Sequence, residues 1–418
     1  QTKEIPKTNL FSFTEPDFPF VNHHWLSEVI FFGIFSLAGF TGLILVKVAL
    51  VFVAFLFLLF ITKSRAKFWS LLISFLLSIF IFISRTEMRP EMFSFVILSF
   101  FLFAIFKAKY EKNYFYLWFL PLLELFWVNL HIYFFIGPFL LTAFALDRLA
   151  NCKWGSGPLL QFGSEESDAK KERISPFAKM PLKKIIIILF LTIVATLINP
   201  SGIQGALLPF NVLNEYGYSI VENQTLSFLA DFFGFNLSIF VFKVSAAILV
   251  LSLILTAKKS RQRIFEIIIS AFFIYAGFRM LRNLPLYALA SFPILAIVLT
   301  DIQDFIKNKL NVDNRLRKSV IHSFRTLICF IGGFLKISVS VFLVFIIFLV
   351  ANNNYYEYTS SSKVFGFSVP NGLERAIDFV KENKIEGPMF NNFNIGGYLI
   401  WRLYPEEKVF VDNRPEAY

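Results

Sequence analysis

The chain has 418 residues, of which 56% are hydrophobic and 57 are phenylalanine, and its formal net charge is +11. A water-soluble domain cannot keep that much apolar surface from solvent, and the basic residues sit in short clusters between apolar runs, not on a nucleic-acid-binding face. Composition therefore points to a polytopic membrane protein without a nucleic-acid partner; two cysteines, Cys152 and Cys329, offer neither a disulfide framework nor a metal site.

In chain order, residues 1–39 form a first extracytoplasmic loop. Within it Trp25 to Ala38 (WLSEVIFFGIFSLA) is apolar, short and closed off by Gly39 and Gly42. It reads as a helix lying in the membrane interface, with Trp25 at the headgroup level. His23, His24 and Glu28 have ligand-like proximity at its start. A metal needs three or four placed ligands, so solvated histidines at a helix start are the plainer reading, and no metal site is expected.

A bundle follows over residues 40–350, in ten apolar runs: 40–62, 68–84, 91–106, 114–128, 131–149, 185–199, 237–256, 264–280, 285–300 and 327–350. Several are nearer 16 than 20 residues and need flanking sequence to span a bilayer. A polar cytoplasmic loop, 150–184, interrupts them. Alternate loops carry 23 Lys and Arg against six on the other side before the C-terminal segment. That asymmetry agrees with strict alternation of ten spans and places 1–39 and 351–418 outside the cytoplasm. An outside start without a signal sequence implies at least one span upstream of Gln1, so the chain is expected to be part of a longer protein.

Charges at the outer ends of spans run against this bias. Arg85, Glu87, Arg89 and Glu91 form one group (RTEMRPE), and Arg279, Arg282 and Asn283 another (FRMLRNLP). Arginine forks suit phosphate, so the two Arg pairs are candidates to hold the phosphate of a lipid-linked donor. Headgroup snorkelling, or pairing of Arg85 and Arg89 with Glu87 and Glu91, is the alternative. Glu124 precedes a tight outer turn, Trp127-Val128-Asn129-Leu130-His131. Glu124, Asn129 and His131 can bind a polar ligand there, or the turn simply caps two spans. His24 joins them as a substrate-binding candidate. Asn199-Pro200-Ser201-Gly202 ends a span. Glu222 lies in an outer loop free of Lys and Arg and faces either a cavity or water.

The last segment, 351–418, changes period. Gly372–Asn383 reads as an amphipathic helix, Gly387–Phe393 as a strand, Gly396–Leu403 as a helix and Lys408–Asp412 as a strand, the opening of an α/β domain. This puts Asn394, Gly396 and Gly397 at a helix N-terminus, and Asp412, Asn413 and Arg414 at the end of the next strand. Such ends hold ligands in α/β units, here a sugar acceptor. Tight strand-to-helix packing, with Asp412 paired to Arg414, is the structural alternative.

The runs PKTNLFSFTEPDFPFVNHHWLSEVIFF, RPEMFSF, LPLLELFWVNLHIYFFIGP, NPSG and FNNFNIGGYLIWRLYPEEKVFVDNRPEAY, in this order, resemble bacterial multispan proteins related to the GT-C glycosyltransferases. That group includes protein mannosyltransferases and lipid A aminoarabinose transferases. The resemblance implies an all-α polytopic bundle in the bacterial inner membrane with an extracytoplasmic α/β domain. It also implies a polyprenyl-phosphate sugar donor, membrane lipids as neighbours, and catalysis outside the cytoplasm. An acidic motif early in the first outer loop carries the chemistry in such enzymes; here it would precede Gln1, and a divalent cation, where one is used, would sit at it. Asn9 stands where relatives often show an acid, and Asp17 and Glu28 are the nearest acids in this chain. The implied mechanism is direct displacement at the anomeric carbon, with a carboxylate taking the acceptor proton and cations stabilising the departing lipid phosphate. A flippase of lipid-linked sugars would need charges at mid-span, for which Lys47, Lys243, Glu266 and Lys336 are the candidates. A non-catalytic scaffold for the outer domain is the third reading.

Overall fold

Each apolar run from 40–62 to 285–300 coincides with a helix in the computed structural model. The structure describes residues 5–19, 21–85, 87–153, 182–215, 223–257, 262–311, 341, 344–345, 348–354, 369, 372–412 and 414. The run at 327–350 lies largely outside these residues.

The helices are α1 (Trp25–Thr62), α2 (Phe68–Phe82), α3 (Glu91–Glu111), α4 (Leu120–Leu130), α5 (Ile136–Lys153), α6 (Leu182–Thr196) and α7 (Gly202–Glu215). They continue with α8 (Leu226–Phe233), α9 (Leu237–Leu255), α10 (Ile264–Arg279), α11 (Leu284–Asn311), α12 (Leu373–Glu382) and α13 (Phe393–Leu403). Among the described residues five stretches are long and apolar enough to cross a membrane: Trp25–Thr62, Glu91–Glu111, Ile132–Asn151, Leu237–Leu255 and Leu281–Lys307. By contrast α2, α6 and α10 have 15, 15 and 16 residues, fewer than the roughly 20 that cover the hydrocarbon core. Sequence gave no sign of α7 and α8, which occupy what reads as an outer loop.

Lipid supplies little hydrophobic drive for helix association, so close packing has to hold the bundle. The buried face of α2 carries Ser70, Ser74 and Ser78 at four-residue spacing, and its main neighbour, α11, buries Ala288, Ala290 and Ala296. Small residues on both sides let the backbones approach. The wider gaps are filled by phenylalanine: Phe55 meets Phe75, Phe82 and Phe292 edge-on at 5.5 to 6.3 Å. Most of α3 and α11 is buried, which makes them the centre of the bundle.

Helix α1 breaks where the glycines predict. Gly39 has φ 58° and ψ −155°, a conformation that a side chain disfavours, and it separates Trp25–Ala38 from the span proper. The first part leaves Val29, Phe32 and Leu37 exposed.

At the C-terminus the predicted strands do not form ladders among the described residues. Met389 and Ser12 each make a single parallel bridge to Val409. The Asn391 side chain accepts from the Phe410 amide at 2.8 Å and donates to the Val411 carbonyl at 2.6 Å. It thereby takes the backbone groups that a ladder would use. Ile377, Leu399, Leu403 and Val409 form a small separate core. The first loop belongs to this unit: Phe13 N donates to Val409 O at 3.2 Å, and Val409 N donates to Phe11 O at 3.1 Å. Trp401 of α13 meets Phe35 and Phe40 edge-on at 6.1 and 5.5 Å, so the unit sits on the two sides of the Gly39 kink.

Candidate functional site

Four chain segments converge at the end of the bundle that holds the α2–α3 turn. That turn brings Arg85, α3 contributes Glu91 and Ser94 from its first turn, and the C-terminus of α4 brings Trp127, Asn129 and His131. The turn between α10 and α11 adds Arg282 and Asn283.

Arg85 Nε donates to Glu91 Oε1 at 2.7 Å, and both side chains are buried, at 4% and 2% exposure. Beside them runs a polar chain. Trp127 Nε1 donates to Ser94 Oγ at 2.8 Å, and Ser94 Oγ lies 3.0 Å from His131 Nδ1. The direction of the Ser94–His131 contact follows the imidazole tautomer, since the serine oxygen can accept from the indole and either donate to Nδ1 or accept from it. His131 reaches Ser94 because its own backbone is extended (φ −166°, ψ 149°), ending α4 and swinging the ring aside. The imidazole meets the Tyr133 ring edge-on at 4.5 Å. Tyr133 Oη accepts from Arg282 Nε at 3.1 Å and lies 3.2 Å from Asn283 Oδ1. Arg282 Nη1 also donates to Asn223 Oδ1 at 3.2 Å, and Asn283 Nδ2 is tied to Ala276 O at 2.9 Å. His23, His24, Arg85 and Arg282 all lie close enough to His131 to act on its charge. Arg85, Arg282, His131, His24 and Asn283 are thus brought together.

Other expected residues fall elsewhere. Arg89 is half-buried in the α2–α3 turn. Arg279 ends α10 on an exposed face, because Met280 leaves helical geometry (φ −151°, ψ 134°) and the three-residue spacing to Arg282 no longer implies a shared face. Glu124 is fully buried inside the bundle, where Gly137 leaves room for its carboxylate: a Cβ there would lie 2.2 Å from Oε2. It stands five residues before Asn129 on α4, about 7.5 Å along the helix axis, so it does not reach the turn. Asn129 is used up in holding the fold. Its Oδ1 accepts from Trp25 Nε1 at 2.9 Å, and its Nδ2 donates to Leu125 O and Ile198 O at 2.9 Å. Asn199 Nδ2 donates to Thr196 O and Gly202 O, closing α6. Glu222 lies outside the described residues.

In the first loop, Glu28 Oε2 accepts from Asn22 Nδ2 at 2.8 Å, and its Oε1 lies 3.2 Å from His24 Nδ1, an ion pair when the imidazole is protonated. Asp17 is exposed on the loop. Among the described residues no three His, Cys, Asp or Glu side chains gather as metal ligands.

The C-terminal candidates have structural partners. Arg414 donates to Asp412 in a fork, Nε to Oδ1 at 2.9 Å and Nη2 to Oδ2 at 2.5 Å, with Asp412 1% exposed. Arg414 Nη2 also donates to Asn9 Oδ1 at 3.0 Å, and its charge acts on Glu28. A Cβ on Gly396 would lie 2.2 Å from Val411 O, so this glycine serves close packing of α13 on 411–412. Asn394 is exposed in the first turn of α13, whereas Asp412 is buried.

No family model and no curated protein matches the chain.

Ser94 and Tyr133, which link His131 to its neighbours, were missed in the sequence. The available signals were a serine on the first turn of a span beside Glu91, and a tyrosine two residues after His131. Sequence also missed a second charged cluster at the other end of the bundle. There Lys109 Nζ donates to Asp147 Oδ1 at 3.0 Å and Glu266 Oε2 at 2.6 Å, which joins α3, α5 and α10.

Proposed function

We propose that this chain is the membrane part of a GT-C-type glycosyltransferase that takes a sugar from a polyprenyl-phosphate donor on the extracytoplasmic face. The observation that carries this reading is the convergence of Arg85, Arg282, His131 and Tyr133 at one bundle end, from segments far apart in sequence. In this reading ten spans cross the bacterial inner membrane, the convergent end faces outward, and residues 351–418 open an extracytoplasmic α/β domain. The supporting facts are the 23-to-6 loop asymmetry and the helices at the apolar runs.

The acceptor hydroxyl oxygen attacks the anomeric carbon as the carbon–oxygen bond to phosphate breaks. The electron pair leaves with the lipid phosphate, and the acceptor proton passes to a carboxylate base. This chain's part is charge stabilisation: Arg282, oriented by the neutral oxygens of Tyr133 and Asn223, faces the departing phosphate. Arg85, anchored by Glu91, adds field without moving. The flippase alternative gains little support, since Lys243 lies on an exposed helix face and Glu266 is tied to Lys109. Lys47 is half-buried, and Lys336 lies outside the described residues.

The test is turnover. Membranes containing the full-length protein are supplied with labelled polyprenyl-phosphate sugars, and release of polyprenyl phosphate is measured. Release that falls at least tenfold in Arg282→Ala is expected. Release equal to that of membranes lacking the protein, across a panel of hexose and pentose donors, would contradict the proposal.

A further inference from the structure

The bundle end opposite the convergent arginines holds a cavity of about 300 Å³ lined by Ser64, Arg65, Tyr110, Gln262, Arg263 and Asp301. Arg65 stands in the turn between α1 and α2, with its guanidinium 4.3 Å from the centre of the Tyr110 ring. Its side chain makes no hydrogen bond to any described residue, so a planar fork of donors faces a cavity unused. The wall behind it is fixed: Tyr110 donates to Glu266 at 2.5 Å, and Glu266 is held by Lys109, which also binds Asp147.

Charge across the cavity is asymmetric. Two guanidinium groups, Arg65 and Arg263, face one carboxylate, Asp301, which Arg263 already neutralises. Arg263 also donates to Thr256 Oγ1 at 2.9 Å, which holds it in place. Behind the wall, Lys109 is matched by Asp147 and Glu266, and Lys67 is paired with Asp304. Arg65 thus has no carboxylate partner among the described residues, and a fork resting on an aromatic face suits a tetrahedral oxyanion.

We propose that this cavity binds a phosphate group, with Arg65 as the bidentate anchor and Ser64 and Gln262 as neutral donors. The volume is at the low end for small-molecule sites and suits a headgroup or small phosphate ester, not a whole lipid. Two sources carry that chemistry: an anionic phospholipid of the adjacent leaflet, for which basic pockets between spans are common receptors, or a soluble phosphate. The site is independent of the donor reading, since it lies at the other end of the bundle.

The experiment uses the full chain in mild detergent and follows binding by native mass spectrometry and thermal shift. The probes are phosphatidylglycerol, phosphatidylcholine and inorganic phosphate. Wild-type protein is expected to bind phosphatidylglycerol or phosphate in preference to phosphatidylcholine. Arg65→Gln, at an exposed turn, should weaken this at least tenfold, with only partial recovery in Arg65→Lys. Ser64→Trp, which fills the cavity, should abolish the tightest bound probe. Phosphatidylglycerol binding without competition by millimolar phosphate identifies a lipid headgroup; competition identifies phosphate from either source. Equal binding of all lipids with phosphate silent, or wild-type affinity in both Arg65→Gln and Ser64→Trp, overturns the proposal.

Discussion

Replacing Arg85 by Met would leave the Glu91 carboxylate buried beside the bundle core without the guanidinium that now meets it at 2.7 Å. With 4% and 2% of the two side chains exposed, solvent cannot take over that role. Loss of one partner of a buried pair costs about 3–5 kcal/mol, whereas replacing both by apolar residues of similar volume is often near neutral. For 418 residues the unfolding entropy is about 0.9 kcal/mol/K, so 1 kcal/mol moves Tm by about 1 °C and Arg85→Met is expected to lower Tm by roughly 3–6 °C. Glu91→Leu should do the same, and the double variant should recover most of the loss. The assay is thermal unfolding in detergent, read by size-exclusion chromatography of heated samples. Single-variant losses below about 1 kcal/mol would be those of a solvent-screened pair. A double-variant loss equal to the sum of the two singles would mean the residues act independently. Either result refutes the argument that burial makes this pair interdependent.

Gly396→Ala forces a Cβ against the Val411 carbonyl, so α13 must shift; a cost of about 1–3 kcal/mol and faster proteolysis between 404 and 412 are expected, and an unchanged digestion pattern would count against the packing role. Asn129→Ala removes the contacts to Trp25 and Ile198 together, and should destabilise by about 1–3 kcal/mol in the same thermal assay, with no loss expected only if the turn is held elsewhere. For orientation, a cysteine at Ser201 should react with an impermeant thiol reagent in intact cells and one at Asn113 should not; the reverse pattern would invert the topology.

Period and punctuation made the bundle legible. Apolar runs located the helices, and Gly39 and Gly42 marked where α1 breaks, because local backbone preference decides both. Residues 8–19 could not be assigned to the C-terminal unit in this way, since that pairing joins Phe11 and Phe13 to Val409 across nearly the whole chain. The strands at 387–393 and 408–412 were overread because alternation is a local signal, while Asn391 diverts the backbone groups through a side chain. Within the site, Arg85 and Arg282 were legible as charges placed against the topological bias, and His131 as a polar residue of the outer turn at 127–131. Arg279 and Glu124 were grouped with them by spacing alone, and each departs for a geometric reason: a helix end at Met280, and a deeper position on α4. The cluster of Lys109, Asp147 and Glu266 was hidden because one member reads as a loop cation and the others as isolated acids.

The proposed donor site requires that the convergent arginines hold a lipid-linked phosphate. The most direct measurement is photo-crosslinking of the full-length protein with a diazirine-bearing polyprenyl phosphate, followed by peptide mapping. Labelling is expected on 87–95 and 280–287, reduced at least tenfold in Arg282→Ala and unchanged in Lys243→Gln, which lies on an exposed helix face. Labelling spread evenly over the exposed spans, or undiminished in Arg282→Ala, would contradict the assignment of this bundle end as the donor site.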